Sequence, residues 1–302
     1  MIDSEASVPV DKIDLPVLKK HGVKLFLQRD DLLHPEISGN KWRKLKYNIQ
    51  EFKKGGYRQI VTFGGAFSNH IAATAAAGSK FDVPTIGIIR GEESNLSNPT
   101  LSLAKENGMI LKFISRTEYK QKNEETFLTK LALEFPNSLI IPEGGANADG
   151  ILGCSEIITN SSDYDIVVCA CGTGGTLSGI VSSLDSRTAC IGVPVLKNAF
   201  FIEKDIQNNL DTINCENDNW SLNYDYHLGG YAKFNEDLHT FIEEFFKETK
   251  IKLDPIYTGK MMYGIMDLVA KNELKNKRVL AIHTGGLQGV TGYEQRYRKL
   301  LF

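Results

Sequence analysis

The sequence predicts an α/β protein: two domains with largely parallel twisted sheets flanked by helices. Three observations predict it. Short, β-rich apolar runs alternate with longer stretches of helical periodicity along most of the chain. Glycine-rich loops stand where those runs end, and the carboxyl ends of strands are where open parallel sheets gather ligands. The chain has 302 residues, near the useful limit of one hydrophobic core, so it forms one large or two closely packed domains.

The predicted strands, in order, are 23–28 (VKLFLQ), 59–63 (QIVTF), 85–90 (TIGIIR), 109–114 (MILKFI), 138–142 (SLIIP), 165–170 (DIVVCA), 189–195 (ACIGVPV) and 278–283 (RVLAIH). Helical periodicity covers 41–53, 67–79, 96–107, 120–134, 148–159, 175–184, 236–249 and 260–271. Strand, crossover helix and strand in this rhythm give parallel sheets covered on both faces. The Asn/Asp-rich segment 208–225 reads as an irregular surface excursion.

Composition narrows the function. Hydrophobic residues make up 42% and charged residues 24%, with 35 Lys plus Arg against 37 Asp plus Glu and a net charge of −2. A nucleic-acid partner calls for a concentrated basic surface, which this balance does not supply. No apolar run approaches the ~18 residues of a membrane span, and the start, MIDSEASVPV, lacks a basic stretch followed by an apolar core. The five cysteines, Cys154, Cys169, Cys171, Cys190 and Cys215, include no CxxC pair and read as free thiols of a cytoplasmic protein. The six histidines contain no HExxH or other close ligand pair, so no metal is expected.

Three loops carry candidate chemistry. The strand DIVVCA leads into Cys171, Gly172, Thr173, Gly174, Gly175 and Thr176 and then a helix. Glycines allow a sharp turn, and the new helix offers unpaired N–H groups and the positive end of its dipole, which suits a phosphate. The pattern is neither GxGxxG nor a Walker loop, and a plain close-packing turn stays open. In Ser38-Gly39-Asn40-Lys41-Trp42-Arg43-Lys44-Leu45, Asn40 suggests a cap just before Lys41. Trp42, Leu45, Ile49 and Phe52 define one face. At ~100° per residue Lys41 lies about 60° from that face's centre, Lys46 about 80°, Lys44 about 120° and Arg43 about 140°, which makes Lys41 the most nearly buried. A desolvated lysine among cations becomes a nucleophile for Schiff-base chemistry; a solvated basic face is the plainer alternative. In Gly64-Gly65-Ala66-Phe67-Ser68-Asn69-His70, Ser68 either caps a helix or, with Asn69 and the following amides, receives a carboxylate. GGAFSNH is not the GxSxG elbow of a hydrolase.

The ordered motifs GNKWRKL, GGAFSNH, PEGGAN, CGTGGT, DPIYTGK and HTGG resemble the pyridoxal-phosphate (PLP) enzymes of the 1-aminocyclopropane-1-carboxylate deaminase and D-cysteine desulfhydrase family, over about residues 25–290. The resemblance implies a tryptophan-synthase-β-like fold, with a large domain from 1–45 and 149–302, a small one from 46–148, the cofactor between them, and a homodimer. It makes Lys41 the lysine bonded to PLP and Lys44 its phosphate contact, with Thr173, Gly174, Gly175 and Thr176 as the cradle. By the same resemblance Asn69 meets the cofactor's phenolic oxygen and Ser68 holds the substrate carboxylate. His70 shapes the pocket, and Tyr257 stands beside the ring.

The deaminases look like YEGK and HLGG where this chain has Thr258 and Thr284, which are similar to the desulfhydrase pattern. A carboxylate at the ring nitrogen strengthens the electron sink more than a neutral hydroxyl does. Expelling thiolate needs less help than opening a carbon ring. The expectation is therefore D-cysteine converted to pyruvate, hydrogen sulfide and ammonia, with Lys41 removing the α-proton. The alternatives are 1-aminocyclopropane-1-carboxylate deamination and, from another class, a catalytically silent PLP-binding regulatory protein. The chain departs from many relatives at Phe67, where they carry Gln, and at Trp42, where Thr is common; segment 196–225 shows little similarity.

Overall fold

The computed structural model describes residues 8–92 and 98–302. The first half runs β1 (Val10–Ile13), α1 (Pro16–Lys20), β2 (Lys24–Gln28), α2 (Asn40–Lys54), β3 (Gln59–Gly65), α3 (Asn69–Phe81), β4 (Thr85–Arg90), α4 (Pro99–Glu106) and β5 (Ile110–Ile114). Next come α5 (Arg116–Tyr119), α6 (Glu125–Glu134), β6 (Ser138–Ile141), α7 (Ala148–Ser155), β7 (Ile166–Cys171), α8 (Gly175–Ser183) and β8 (Ala189–Pro194). The chain closes with α9 (Phe201–Thr212), β9 (Trp220–Leu222), α10 (Glu236–Thr249), α11 (Thr258–Ala270), β10 (Arg278–Ile282) and α12 (Gln288–Tyr297).

Two sheets form, of order β1-β2-β10-β7-β8-β9 and β5-β4-β3-β6. Every pairing is parallel except β1 with β2. Parallel strands covered by helices read as unbroken apolar runs, and in β10 Val279, Leu280, Ala281 and Ile282 are all buried. The α/β class with parallel sheets is the one expected. So are the eight strands, within a residue or two at their ends.

Several expectations need correction. Residues 120–124 form a turn, so the stretch 120–134 is helical only from Glu125. Residues 96 and 97 of the expected helix 96–107 lie outside the described residues, as does most of the reading of the chain's start, at 1–7. The observed α4 begins at Pro99, where the Asn98 side chain accepts from Leu101 N. Segment 208–225 is not wholly irregular. Ile202, Ile206 and Leu210 form the buried stripe of α9, and β9 adds an edge strand paired Cys190↔Trp220. The polar composition there misleads because Asn217 and Asn219 cap backbone: their amides donate to the carbonyls of Val181, Leu184, Asp185 and Thr188.

Helix α2 joins the two sheets. Trp42, Leu45 and Ile49 pack with Ile60, Ala73, Ala76, Ala77 and Ile141 of the smaller sheet's layer, with Phe52 alongside. On another side α2 lies tight against α7, where a Cβ at Gly153 would stand 1.8 Å from Arg43 O. Arg43 Nε also bonds Asp30 Oδ2 (3.2 Å), just after β2. The loops after β2, β3, β6, β7 and β10 all leave carboxyl ends of strands, and they meet around the start of α2.

Candidate active site

The N-cap of α2 is Gly39, not Asn40. Gly39 has φ 65°, and a Cβ there would stand 2.0 Å from Thr284 O, so only glycine lets the helix begin against the loop after β10. Asn40 is thereby the first helical residue, and its carboxamide serves the site instead of a cap. It donates to Thr176 Oγ1 (2.8 Å) and accepts from Lys41 Nζ (2.9 Å).

Lys41 is half-buried while Arg43 and Lys44 are buried outright, which corrects the ranking drawn from a single apolar face. That ranking assumed one covered side, and α2 is covered on several. Lys44 Nζ donates to Gly144 O (2.8 Å). Burial first, then the Lys44 charge, bring the Lys41 amine down to about 7. Burial lowers Lys44 too. The two amines thus stand together in a desolvated place, Lys44 beside Gly144 and Lys41 brought down by burial and by its neighbour.

Gly174, at φ 77°, caps α8 and turns the chain so that the first amides of the helix face the site. A Cβ at Gly175 would lie 3.3 Å from Lys44 Nζ, one at Gly144 2.9 Å from Thr173 Oγ1, and one at Gly172 3.2 Å from Tyr257 Cε1. The structure therefore brings Lys41, Lys44, Thr173, Gly174, Gly175, Thr176 and Tyr257 together around a glycine-lined notch.

Ser68 caps α3, its Oγ accepting from Ile71 N (3.3 Å), so the capping reading holds. Asn69 is buried, and its Oδ1 has no partner; its Nδ2 faces Gly286, beside Asp254. His70 is buried against Gly145 and Lys44. Thr62 Oγ1 donates its single proton to Ile141 O (2.9 Å). The 2.9 Å contact of that oxygen with His70 Nε2 is thus donated by the ring, which leaves Nδ1 a bare, unpartnered acceptor. Burial and the charges of Lys41 and Lys44 keep the imidazole neutral.

Thr258 is wholly buried and is not a free hydroxyl: it donates to Asp254 Oδ1 (2.7 Å) and accepts from Asp254 N (2.9 Å). Asp254 also accepts from the amides of Ile256, Tyr257 and Thr258 and fixes the turn that starts α11. Thr284 is buried, and its carbonyl accepts from Asn40 N (3.3 Å).

Sequence reasoning missed Asp254, Asn40 and Tyr231. Tyr231 meets the Tyr257 ring edge-on, with centroids 6.0 Å apart. Burial pushes both phenols upward, so their hydroxyls stay protonated. The signal for Tyr231 was the Gly229-Gly230 turn before an aromatic; for Asp254 it was the Asp opening DPIYTGK.

The donor set fits pyridoxal phosphate: a depressed amine for its aldehyde, a lysine with a helix N-terminus for its phosphate, and an unsatisfied buried carboxamide at Asn69. Among relatives, a Pyrococcus horikoshii protein that carries 1-aminocyclopropane-1-carboxylate deaminase as a provisional name is 31% identical, over 94% of this chain and 91% of its own. An Arabidopsis thaliana bifunctional D-cysteine desulfhydrase/1-aminocyclopropane-1-carboxylate deaminase is 30% identical, over 93% and 77%. A crystal structure described as an ACC deaminase homologue superposes with a TM-score of 0.81 at 29% identity, covering 96% of this chain and 92% of the other. Residues 5–285 match the family model described as pyridoxal-phosphate dependent enzyme. A lysine amine brought down by burial, a glycine-rich helix start beside it and a match over nearly the whole chain agree, and the chain belongs to the pyridoxal-phosphate dependent enzyme family.

Proposed function

We propose that the chain eliminates a β-leaving group and the amino group from a small amino acid, with D-cysteine as substrate: D-cysteine and water give pyruvate, hydrogen sulfide and ammonia. The observation that carries this is the Lys41 amine, brought down to about 7 beside Lys44. When bound, the cofactor would supply an electron sink for the negative charge that develops at the substrate's α-carbon. Lys41, the residue that would hold it, has an amine neutral enough to take the α-proton. Lys44, Thr173, Thr176 and the amides opening α8 at Gly174 and Gly175 would hold the phosphate. The unpartnered Asn69 carboxamide would meet the ring's phenolic oxygen, and Thr258, whose proton goes to Asp254, would have only an acceptor left for the ring nitrogen. The Ser68 hydroxyl, the free amides opening α3 at Asn69 and His70, and Thr284 receive and orient the substrate. Tyr257, kept protonated by burial, donates a proton to the departing sulfur.

A second reading, deamination of 1-aminocyclopropane-1-carboxylate to 2-oxobutyrate and ammonia, is favoured by one observation. The Asp254 carboxylate backs the Thr258 hydroxyl at 2.7 Å, so a negative charge stands one hydroxyl away from the place where such deaminases resemble YEGK. Offering D-cysteine, L-cysteine, D-serine and the cyclopropane amino acid to the PLP-loaded protein, and measuring sulfide, pyruvate and 2-oxobutyrate, decides between them. Sulfide with pyruvate from D-cysteine is expected; dominant 2-oxobutyrate overturns the first reading. A Tyr257→Phe variant with unchanged turnover removes the proton donor from the scheme.

The reading includes a cytoplasmic homodimer, which sedimentation tests. The five unpaired cysteines suit a reducing compartment, and no helix among the described residues is long and apolar enough to cross a membrane. It also includes a small domain at 46–148 and a large one from 1–45 and 149–302. The separate four-stranded and six-stranded sheets support that division, although α2 runs through the first boundary.

A further inference from the structure

We infer that Lys260 is a positioning residue whose amine staples the turn at 227–230 to α11 and so sets Tyr231 against Tyr257. The inference rests on the reading above, in which Tyr257 faces the substrate, and Tyr231 packs on that ring.

Lys260 lies in the first turn of α11 and is fully buried, at 0% exposure. A lysine there is costly unless its protons are satisfied. All three have backbone acceptors: Val195 O (3.3 Å), His227 O (2.7 Å) and Gly230 O (2.6 Å). No carboxylate among the described residues bonds the amine. Burial brings it down to about 8, and the nearby Asp254 charge opposes that shift.

The backbone it grips is strained. Leu228 (φ 45°), Gly229 (φ 88°), Gly230 (φ 111°) and Ala232 (φ 51°) all take positive φ, and non-glycine residues hold such angles only when their surroundings impose them. The residue after the gripped Gly230 carbonyl is Tyr231. Tyr257 stands three residues before Lys260 at the same helix start, and its ring covers Gly172 of the notch. One amine therefore ties the backbone that presents one phenol to the helix that presents the other. One acceptor is Val195, just past the end of β8, and the other two belong to the 227–230 turn, so the shorter bonds are local to the tyrosine pair.

The test uses the PLP-loaded full chain with Lys260→Met, Tyr231→Phe and the double variant. In Lys260→Met the cofactor is expected to stay reducible onto Lys41, while amide exchange at 228–232 rises about tenfold or more and the interior of α11 does not change. The kcat for D-cysteine should fall about tenfold, and in the Tyr231→Phe background the same change should cost less than about threefold, because both act through one phenol. Losses that multiply, or exchange raised uniformly along the chain, overturn the inference. If Lys260→Met does not fold, Lys260→Gln, with two donors, is read by the same exchange and cycle. If the wild type releases no sulfide, the functional reading fails while the exchange result still decides whether the staple exists.

Discussion

The Lys41 amine is depressed by two separable causes, burial and the Lys44 charge. Attack on an aldehyde needs the neutral amine, so attachment should rise with pH and level above about 7. Replacing Lys44 by Met removes the second cause and leaves the first, which moves the midpoint upward but short of an ordinary lysine. Pyridoxal without its phosphate is the probe, because it takes the anion contact out of the comparison. Its attachment rate, followed by absorbance from pH 6 to 9, should show a higher midpoint in Lys44→Met; an unchanged midpoint would mean that burial alone sets the amine. At this scale the sequence was partly legible. Residue types and loop spacing singled out Lys41, Ser68 and the glycine loop as candidates, and the resemblance to the family gave them their roles. The sequence could not show that Asn40 spends its side chain on Lys41 and Thr176, since Thr176 is distant in the chain. Nor could it show that Asp254 takes the Thr258 proton, because DPIYTGK states the residues and not the bond.

At the scale of elements, α2 depends on Gly39. Two costs meet there in an alanine variant: a left-handed backbone angle, and a Cβ 2.0 Å from the Thr284 carbonyl. Gly56 separates them, since its φ is also positive but a Cβ there meets nothing within 4 Å. Gly56→Ala should cost roughly 1–2 kcal/mol, whereas Gly39→Ala should cost more than about 4 kcal/mol, read as urea midpoints. Equal losses would show that conformation and not contact governs the helix start. Strand existence was legible because buried parallel strands are continuous apolar runs, and TIGIIR coincides with β4 residue for residue. The short edge strands β1 and β9 were not, since an edge needs little apolar surface and β9 spans only Trp220–Leu222. Helix α9 hid in polar composition because a stripe of three buried residues suffices to dock it.

For the whole molecule, the joint between the sheets is the α2 layer and its ion pair. Arg43 and Asp30 are both buried, and Asp30 shares its carboxylate with Gln28. Arg43→Met leaves that charge only partly satisfied and should lower stability by about 3–5 kcal/mol. Chemical denaturation measures it, and a loss below about 1 kcal/mol would make the pair a surface-like contact. Parallel topology was legible from rhythm alone, while the assignment of β2 between β1 and β10 was not: it pairs segments from opposite ends of the chain, and no local pattern records that.

The seat of α2 against Thr284 has a consequence for how the protein is made. Lys41 leaves the ribosome well ahead of Thr284, whose carbonyl defines the start of its helix but lies far downstream in the chain. A nascent chain therefore carries the amine long before it owns the seat for that helix, and vitamin loading has to wait until Thr284 has emerged.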